Sequence, residues 1–260
     1  VGVVALIVPA LPGPVSGAGL IIIGILFALI PAVVWLIFFY QQDRLEPEPK
    51  GYIIKVFLLG ALVAKAVSIP LVQDVFHIGQ WLYSNVWIHL LGSILVVGFI
   101  QEFLKYAAVR YSVYDSAEFD ERVDGIIYAV VAGLGFATML NFEYVVSRGG
   151  VNLVVGAIRV TVTALAHASI AGIMGYFLGQ AKFEHTPPYY LPAGLVIAAV
   201  LNGVFFWAQD LVTLRGISFN PWYGLILAVA VAIVVFAIVF WLIRRANAET
   251  LALMKAGGAS

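Results

Sequence analysis

Residues Leu20 to Tyr40 read LIIIGILFALIPAVVWLIFFY, twenty-one positions without a charge. A helix of that length covers the roughly 30 Å of hydrocarbon in a bilayer. The apolar residues run continuously instead of alternating, which excludes a strand of a membrane barrel. The pattern recurs along the chain, at Tyr52–Val72, Trp87–Tyr111, Val123–Val146, Leu153–Ala181, Leu191–Leu211 and Trp222–Ile243, with short polar connections between the runs. The expected fold is all-α: a polytopic membrane helical bundle of seven transmembrane helices. It forms one integral membrane domain over residues 1–260, with 244–260 as a cytoplasmic tail.

Composition agrees. Apolar residues make up 63% of the chain and charged residues 11%, against about 25% charged in a soluble domain. Such a chain cannot present a water-compatible surface, and the lipid bilayer is its natural solvent. There is no cysteine, which removes disulfides and thiolate metal sites. The formal charge is zero and no basic patch stands out, so nucleic acid is not a partner. Val1–Leu11 lacks the basic start of a signal peptide and is too short to span. The Pro- and Gly-rich stretch Pro9–Gly19 is expected at the membrane surface.

Charge placement sets the orientation. With seven spans, Arg44, Lys50, Arg110, Arg122, Lys182, Arg244, Arg245 and Lys255 share one side, and only Arg148 and Arg215 fall on the other. The positive-inside rule then puts the C-terminus in the cytoplasm and the N-terminus outside. Trp81, Trp87, Tyr189, Tyr190, Trp222 and Tyr223 mark span ends as interfacial aromatics.

Ionisable side chains within spans cost several kcal/mol unless they face protein or water, which makes each a functional candidate. Lys55 can snorkel. Lys65 is deeper and reads either as half of a structural ion pair or as functional. Span three carries Gln101, Glu102 and Lys105, whose spacings of three and four let them share one helix face; simple neutralisation of Glu102 by Lys105 is the alternative. Span four carries Asn141, Glu143 and Tyr144, after Gly133 and Gly135, which permit close helix approach. Glu143, near the span end, reads as surface, structural or functional. Span five carries Arg159, either a headgroup anchor or a holder of a substrate carbonyl or carboxylate. It also carries His167 among small residues, placed either for structure or for proton transfer near neutral pH. Span six contributes Asn202. By helical rise, Glu102 lies about 14 Å and His167 about 21 Å from the inner ends of their spans. Tilt of the long fifth span brings the two near one level, with Glu143 shallower.

At these residues the chain resembles PrsW-type intramembrane proteases, within the superfamily of CAAX prenyl proteases and bacteriocin-processing membrane proteases. Asp43-Arg44-Leu45-Glu46-Pro47-Glu48-Pro49 resembles the family's D-R-x-E-P-E-P segment, and Gln101-Glu102-Phe103-Leu104-Lys105 its E-E-x-x-K motif. Asp124-Gly125-Ile126-Ile127-Tyr128, then Gly135-Phe136-Ala137 to Tyr144, resembles the D-G-x-x-Y and G-F-A-x-x-E-N-x-x-Y block. His167 with Gly172 and Gly175 resembles the family's histidine helix. Three positions depart from the pattern: Gln101 replaces the first Glu, Leu140 stands where many relatives have Glu, and Asn202 where a second His is common.

The resemblance implies an intramembrane peptidase of the bacterial or archaeal plasma membrane. It would hydrolyse a membrane-anchored protein, anti-sigma-factor-like, with a carboxylate-activated water. The catalytic set would be Gln101, Glu102, His167 and Asn141, supported by Lys105, Glu143, Tyr144, Arg159 and Asn202. A carboxamide cannot accept a proton from water, so if position 101 is the base this chain is an inactivated form. No cofactor is expected; a metal held by Glu102 and His167 stays an open alternative, although one buried His without His-x-x-x-His or Cys is a poor ligand set. A transporter or ion-conducting bundle using Lys65, Glu102, Lys105 and Arg159 as a pathway is the alternative from another class. A retinal photoreceptor is excluded, because Trp222–Ile243 contains no lysine.

Overall fold

The computed structural model describes residues 17–42, 47–147, 153–214 and 222–257. Outside them lie Val1 to Ser16, and with it most of the Pro/Gly-rich stretch, together with Asp43-Arg44-Leu45-Glu46, Arg148 and Arg215. The side chains of Trp222, Tyr223 and Lys255 are also outside the description. Among the described residues, seven helices are long and apolar enough to cross a membrane, and there is no strand. They are α1 (Ala18–Tyr40), α2 (Lys50–Trp81), α3 (Val86–Arg110), α4 (Arg122–Ser147), α5 (Leu153–Phe183), α6 (Tyr190–Leu214) and α7 (Trp222–Gly257). In lipid the backbone must bond to itself, and the helix is how an apolar run does so.

Two helices run beyond the expected spans. α7 continues past Ile243 through residues of good helix propensity, with Arg245 Nε donating to Glu249 Oε1 at 2.8 Å one turn on. α2 reaches Trp81 by loosening: α-helical to Val63, it widens into π turns at Ala64–Ser68 and Leu71–Val75. It then breaks at His77 in a left-handed conformation (φ 46°) before the turn Ile78–Trp81. α3 has a π segment at Ser93–Gly98, just before Gln101. π turns often accompany functional sites, and those in α2 and α3 flank the cavity described below.

α4 and α5 form the centre. Their apolar windows are 83% and 78% buried, whereas no other span exceeds 39%. Glycines set how closely the helices approach. A Cβ at Gly125 would strike the Gly175 carbonyl, and one at Gly133 would strike the carbonyl of His167, so α4 and α5 meet backbone to backbone. On the other side of α4, a Cβ at Gly135 would enter the Phe57 carbonyl and one at Gly60 the Ala132 carbonyl, which docks α2. A third pair joins α3 to α6: Gly98 abuts the Ala199 carbonyl and Gly203 abuts Ile94.

One end of the bundle is tied by polar clasps. Tyr128 Oη donates to Glu48 Oε2, and Tyr40 Oη donates to the Glu48 carbonyl at 2.9 Å. Asp124 Oδ2 accepts from the backbone N–H groups of Asp120 and Glu121 at 2.8 and 2.6 Å. The E-P-E-P and D-G-x-x-Y segments, eighty residues apart, therefore meet each other.

Overpacking a tight core contact typically costs about 1–3 kcal/mol. Gly135→Val, which drives a methyl group into the Phe57 carbonyl, is expected to lower the melting temperature in detergent micelles or to abolish folded protein. Gly51→Ala, which meets nothing within 4 Å, should leave the melt unchanged.

Candidate active site

Glycine packing brings four polar helix faces together. On α3, Gln101, Glu102 and Lys105 are 5%, 0% and 1% exposed. Facing them are His167 of α5, Asn141 of α4 and Asn202 of α6, each at most 4% exposed. The Gly98–Ala199 and Gly203–Ile94 approaches hold α3 against α6 at the level where Asn202 Nδ2 donates to Gln101 Oε1 at 3.0 Å. That bond occupies one of the two lone pairs of the Gln101 oxygen. Gln101 keeps its amide N–H groups as donors, and Asn202 Oδ1, without a hydrogen-bond partner among the described residues, keeps its capacity to accept.

Behind this pair stands a buried ionic group. Lys105 Nζ donates to Glu102 Oε1 and lies 3.1 Å from His167 Nδ1. It is also 5.4 Å from the centre of the Phe136 ring. Phe136 and Phe205 enclose the imidazole at centroid distances of 5.9 and 6.2 Å. Glu102 Oε2 has no hydrogen-bond partner among the described residues.

Gln101, Asn141, His167 and Asn202 line one cavity of about 270 Å³, together with Leu140, Glu143, Tyr144, Arg159, Thr163 and Gln209. Glu102 and Lys105 are not part of this lining. Asn141 spends its amide nitrogen on the Val160 carbonyl at 2.9 Å, a tie between α4 and α5. Glu143 pairs with Lys65 of α2 at 2.7 Å. Arg159 donates to Gln209 Oε1 at 3.3 Å and stacks 4.1 Å above Tyr144, while Gln209 Nε2 donates to Thr163 Oγ1 at 2.9 Å. The ion pair is one of the two readings the sequence offered for Lys65, with Glu143 as the partner it did not name. Site roles for Gln209, Thr163 and Phe136 are additions; Gln209 carried a usable signal, as a polar side chain inside an apolar run, and the other two did not.

Five membrane helices, α2 through Ile69 and Gln73 and then α3 to α6, meet around this cavity, whose wall mixes polar and apolar side chains, and comparison with known proteins says which family builds it. Residues 48–243 match the model of the PrsW family intramembrane metalloprotease. The chain belongs to the PrsW family of intramembrane proteases. It is 34% identical over 178 residues to the "Protease PrsW" of Geobacillus kaustophilus, covering 68% of this chain and 75% of that one. It is 32% identical to the Bacillus subtilis "Protease PrsW" over 188 residues, 69% and 82% of the two chains. With the Oceanobacillus iheyensis protein of the same name it shares 29% identity over 223 residues, 86% of this chain and 95% of that one. No solved structure matches. This PrsW-family chain is thus an integral membrane peptidase with bacterial relatives and a protein substrate in the membrane, and the transporter reading has no support.

The family description implies a metal, and the residues present do not suit one. Among the described residues no three His, Asp or Glu side chains gather as a metal-holding group. Around His167 the cavity offers the amides of Gln101, Asn141 and Asn202 and the aliphatic Leu140. Zinc takes imidazole, carboxylate or thiolate, and neutral amides are poor replacements.

Removing one partner of a buried ion pair costs about 3–5 kcal/mol, whereas replacing both is often close to neutral. Glu102→Gln alone is therefore expected to destabilise PrsW-type packing strongly, and Glu102→Gln/Lys105→Met to recover most of that loss. Equilibrium unfolding in mixed micelles, run as a double-mutant cycle, measures the coupling.

Proposed function

We propose that this chain hydrolyses a peptide bond of a membrane-anchored protein inside the α3–α4–α5–α6 cavity. The observation that carries the reading is the convergence of Gln101, His167 and Asn202 on one intramembrane cavity, with the buried Glu102 next to Gln101 on α3. The lining extends through Leu140, Glu143 and Tyr144 to Ser147 at the end of α4, and to Arg159 near the start of α5. The positive-inside rule puts that end at the outer face, with the C-terminus in the cytoplasm. The substrate segment would then be one that ends near the outer leaflet, as in an anti-sigma-factor-like regulator, and Arg159 and Gln209 would hold its backbone carbonyls.

Each polar group then has a role. Asn202 fixes Gln101 through its Nδ2 donation, and the attacking water sits in the cavity between Gln101 and His167, aimed at the scissile carbonyl carbon. The water's proton passes to Glu102, the carboxylate buried beside the lining, when a shift of the Gln101 side chain admits water to Glu102 Oε2. The carbonyl oxygen becomes an oxyanion, held by donors in low dielectric: the N–H groups of Gln101 and the ring N–H of His167. Glu102 returns the proton to the amine nitrogen as the C–N bond breaks, releasing a carboxylic acid and an amine. Gln101 can hold the reactants but cannot take a proton, which makes this chain a slow form of the enzyme.

The test compares four proteins in proteoliposomes with a membrane-tethered reporter: the chain itself, Gln101→Glu, Glu102→Gln and His167→Ala. Gln101→Glu puts a base in the cavity and should accelerate cleavage by about 10²–10⁴, the usual yield of general acid–base catalysis. Glu102→Gln and His167→Ala should fall to background. Equal rates in all four would remove these residues from the mechanism.

A further inference from the structure

We infer that Lys105 is the built-in cation of this site: its ammonium takes the place between Glu102 and His167 where a divalent metal would bind, and it holds His167 as the Nε2–H tautomer. The inference rests on the cavity being the active site, but its evidence is the surroundings of a single nitrogen.

An ammonium has three N–H donors and no lone pair. Around Lys105 Nζ stand three acceptors of different kinds: the carboxylate of Glu102, His167 Nδ1 at 3.1 Å, and the face of Phe136 at 5.4 Å from the ring centre. An aromatic face attracts a compact cation but offers a metal no ligand. The arrangement therefore suits an ammonium and not a zinc ion.

Charge balance gives the same answer independently. Glu102 and Lys105 sum to zero and are almost wholly buried, at 0% and 1% exposure. A divalent ion placed beside them would leave two positive charges uncompensated in a medium that penalises even one. The carboxylate that does line the cavity, Glu143, already pairs with Lys65. The remaining donors near His167 are neutral amides.

The tautomer follows from the same contact. Lys105 donates, so Nδ1 must be the accepting nitrogen and the ring hydrogen must sit on Nε2. A doubly protonated ring would set an N–H against an ammonium. A neutral lysine would leave the Glu102 carboxylate buried without a counter-charge unless Glu102 took the proton, an outcome that a protonated Nδ1 on His167 would report. His167 is accordingly a hydrogen-bond donor, suited to an oxyanion and unable to act as base through Nε2. Lys105 is a positioning residue acting through His167.

Two measurements on the unmodified chain test this without any cleavage assay. In ¹⁵N-histidine-labelled protein, the resonances that disappear in His167→Gln should show an unprotonated Nδ1 and a protonated Nε2. Elemental analysis of protein purified without chelator, and again after incubation with zinc and desalting, should find well short of one metal per chain, with no zinc-induced rise in melting temperature. A third protein reverses the arrangement: Lys105→Met frees Glu102 and His167 and should lose the fixed tautomer and gain a zinc-dependent rise in melting temperature. Stoichiometric metal in the unmodified chain, or a protonated Nδ1 on His167, overturns the proposal. If Lys105→Met does not fold, the two measurements on the unmodified chain still decide the matter. Absent cleavage together with the expected tautomer and metal content would sink the proteolytic roles and leave the role of Lys105 standing.

Discussion

An ammonium shared by a carboxylate and an imidazole, with almost no exposure, is the constraint around which the centre of this bundle is arranged. Charges inside a membrane protein survive only when paired or wetted. Here Lys105 is satisfied by Glu102 on its own helix and by His167 on α5. The second contact is the informative one. It requires α3 and α5 to sit at one relative height and rotation, because a buried ammonium that lost the imidazole would have no comparable partner to turn to. The polar centre thus demands a defined helix arrangement, and the glycine contacts supply it.

Those contacts have an order. Gly133 lies against the carbonyl of His167 itself, so the α4–α5 approach and the position of the histidine are one constraint. Gly98 and Gly203 flank the Gln101–Asn202 bond in sequence and set its separation. Phe136 follows Gly135, which docks α2, and covers both Lys105 and His167. With no hydrophobic drive between helices in lipid, close packing and interhelical hydrogen bonds must hold the bundle together. In this chain the two occur at neighbouring residues, so a methyl group added at a glycine disturbs the chemistry as well as the packing.

The architecture was legible in the sequence because lipid allows few solutions: a long apolar run with few or no charges has to be a helix, and seven such runs make a bundle. The loosening of α2 and α3 into π turns was not legible, since Ala64–Ser68 and Ser93–Gly98 differ in no obvious way from ordinary helical sequence. For the centre, helical rise gives a residue's height but not its azimuth. Height could bring Glu102 and His167 near one level; it could not reveal that Lys105 stands between them or that Phe136 closes the shell. Pairings such as Lys65 with Glu143, seventy-eight residues apart, depend on which helices neighbour one another, and one sequence without relatives does not fix that order.

A cavity lined by amides has a consequence for the balance between binding and chemistry. Gln101, Asn141, Asn202 and Gln209 carry the same donor and acceptor groups as a peptide backbone, so they complement an extended substrate segment that has left water and needs its hydrogen bonds replaced. Apart from the N–H groups of Gln101 that would meet the oxyanion, such groups hold ground state and transition state about equally, and uniform binding lowers KM without raising kcat. A base or a concentrated positive charge would favour the transition state. Here the carboxylate of α3 is set back at Glu102 and the charge at Lys105 is already neutralised. On the proposed mechanism this makes a site strong in holding a peptide and weak in cleaving it. Single-residue chemistry at position 101, more than any change in the fold, separates the two.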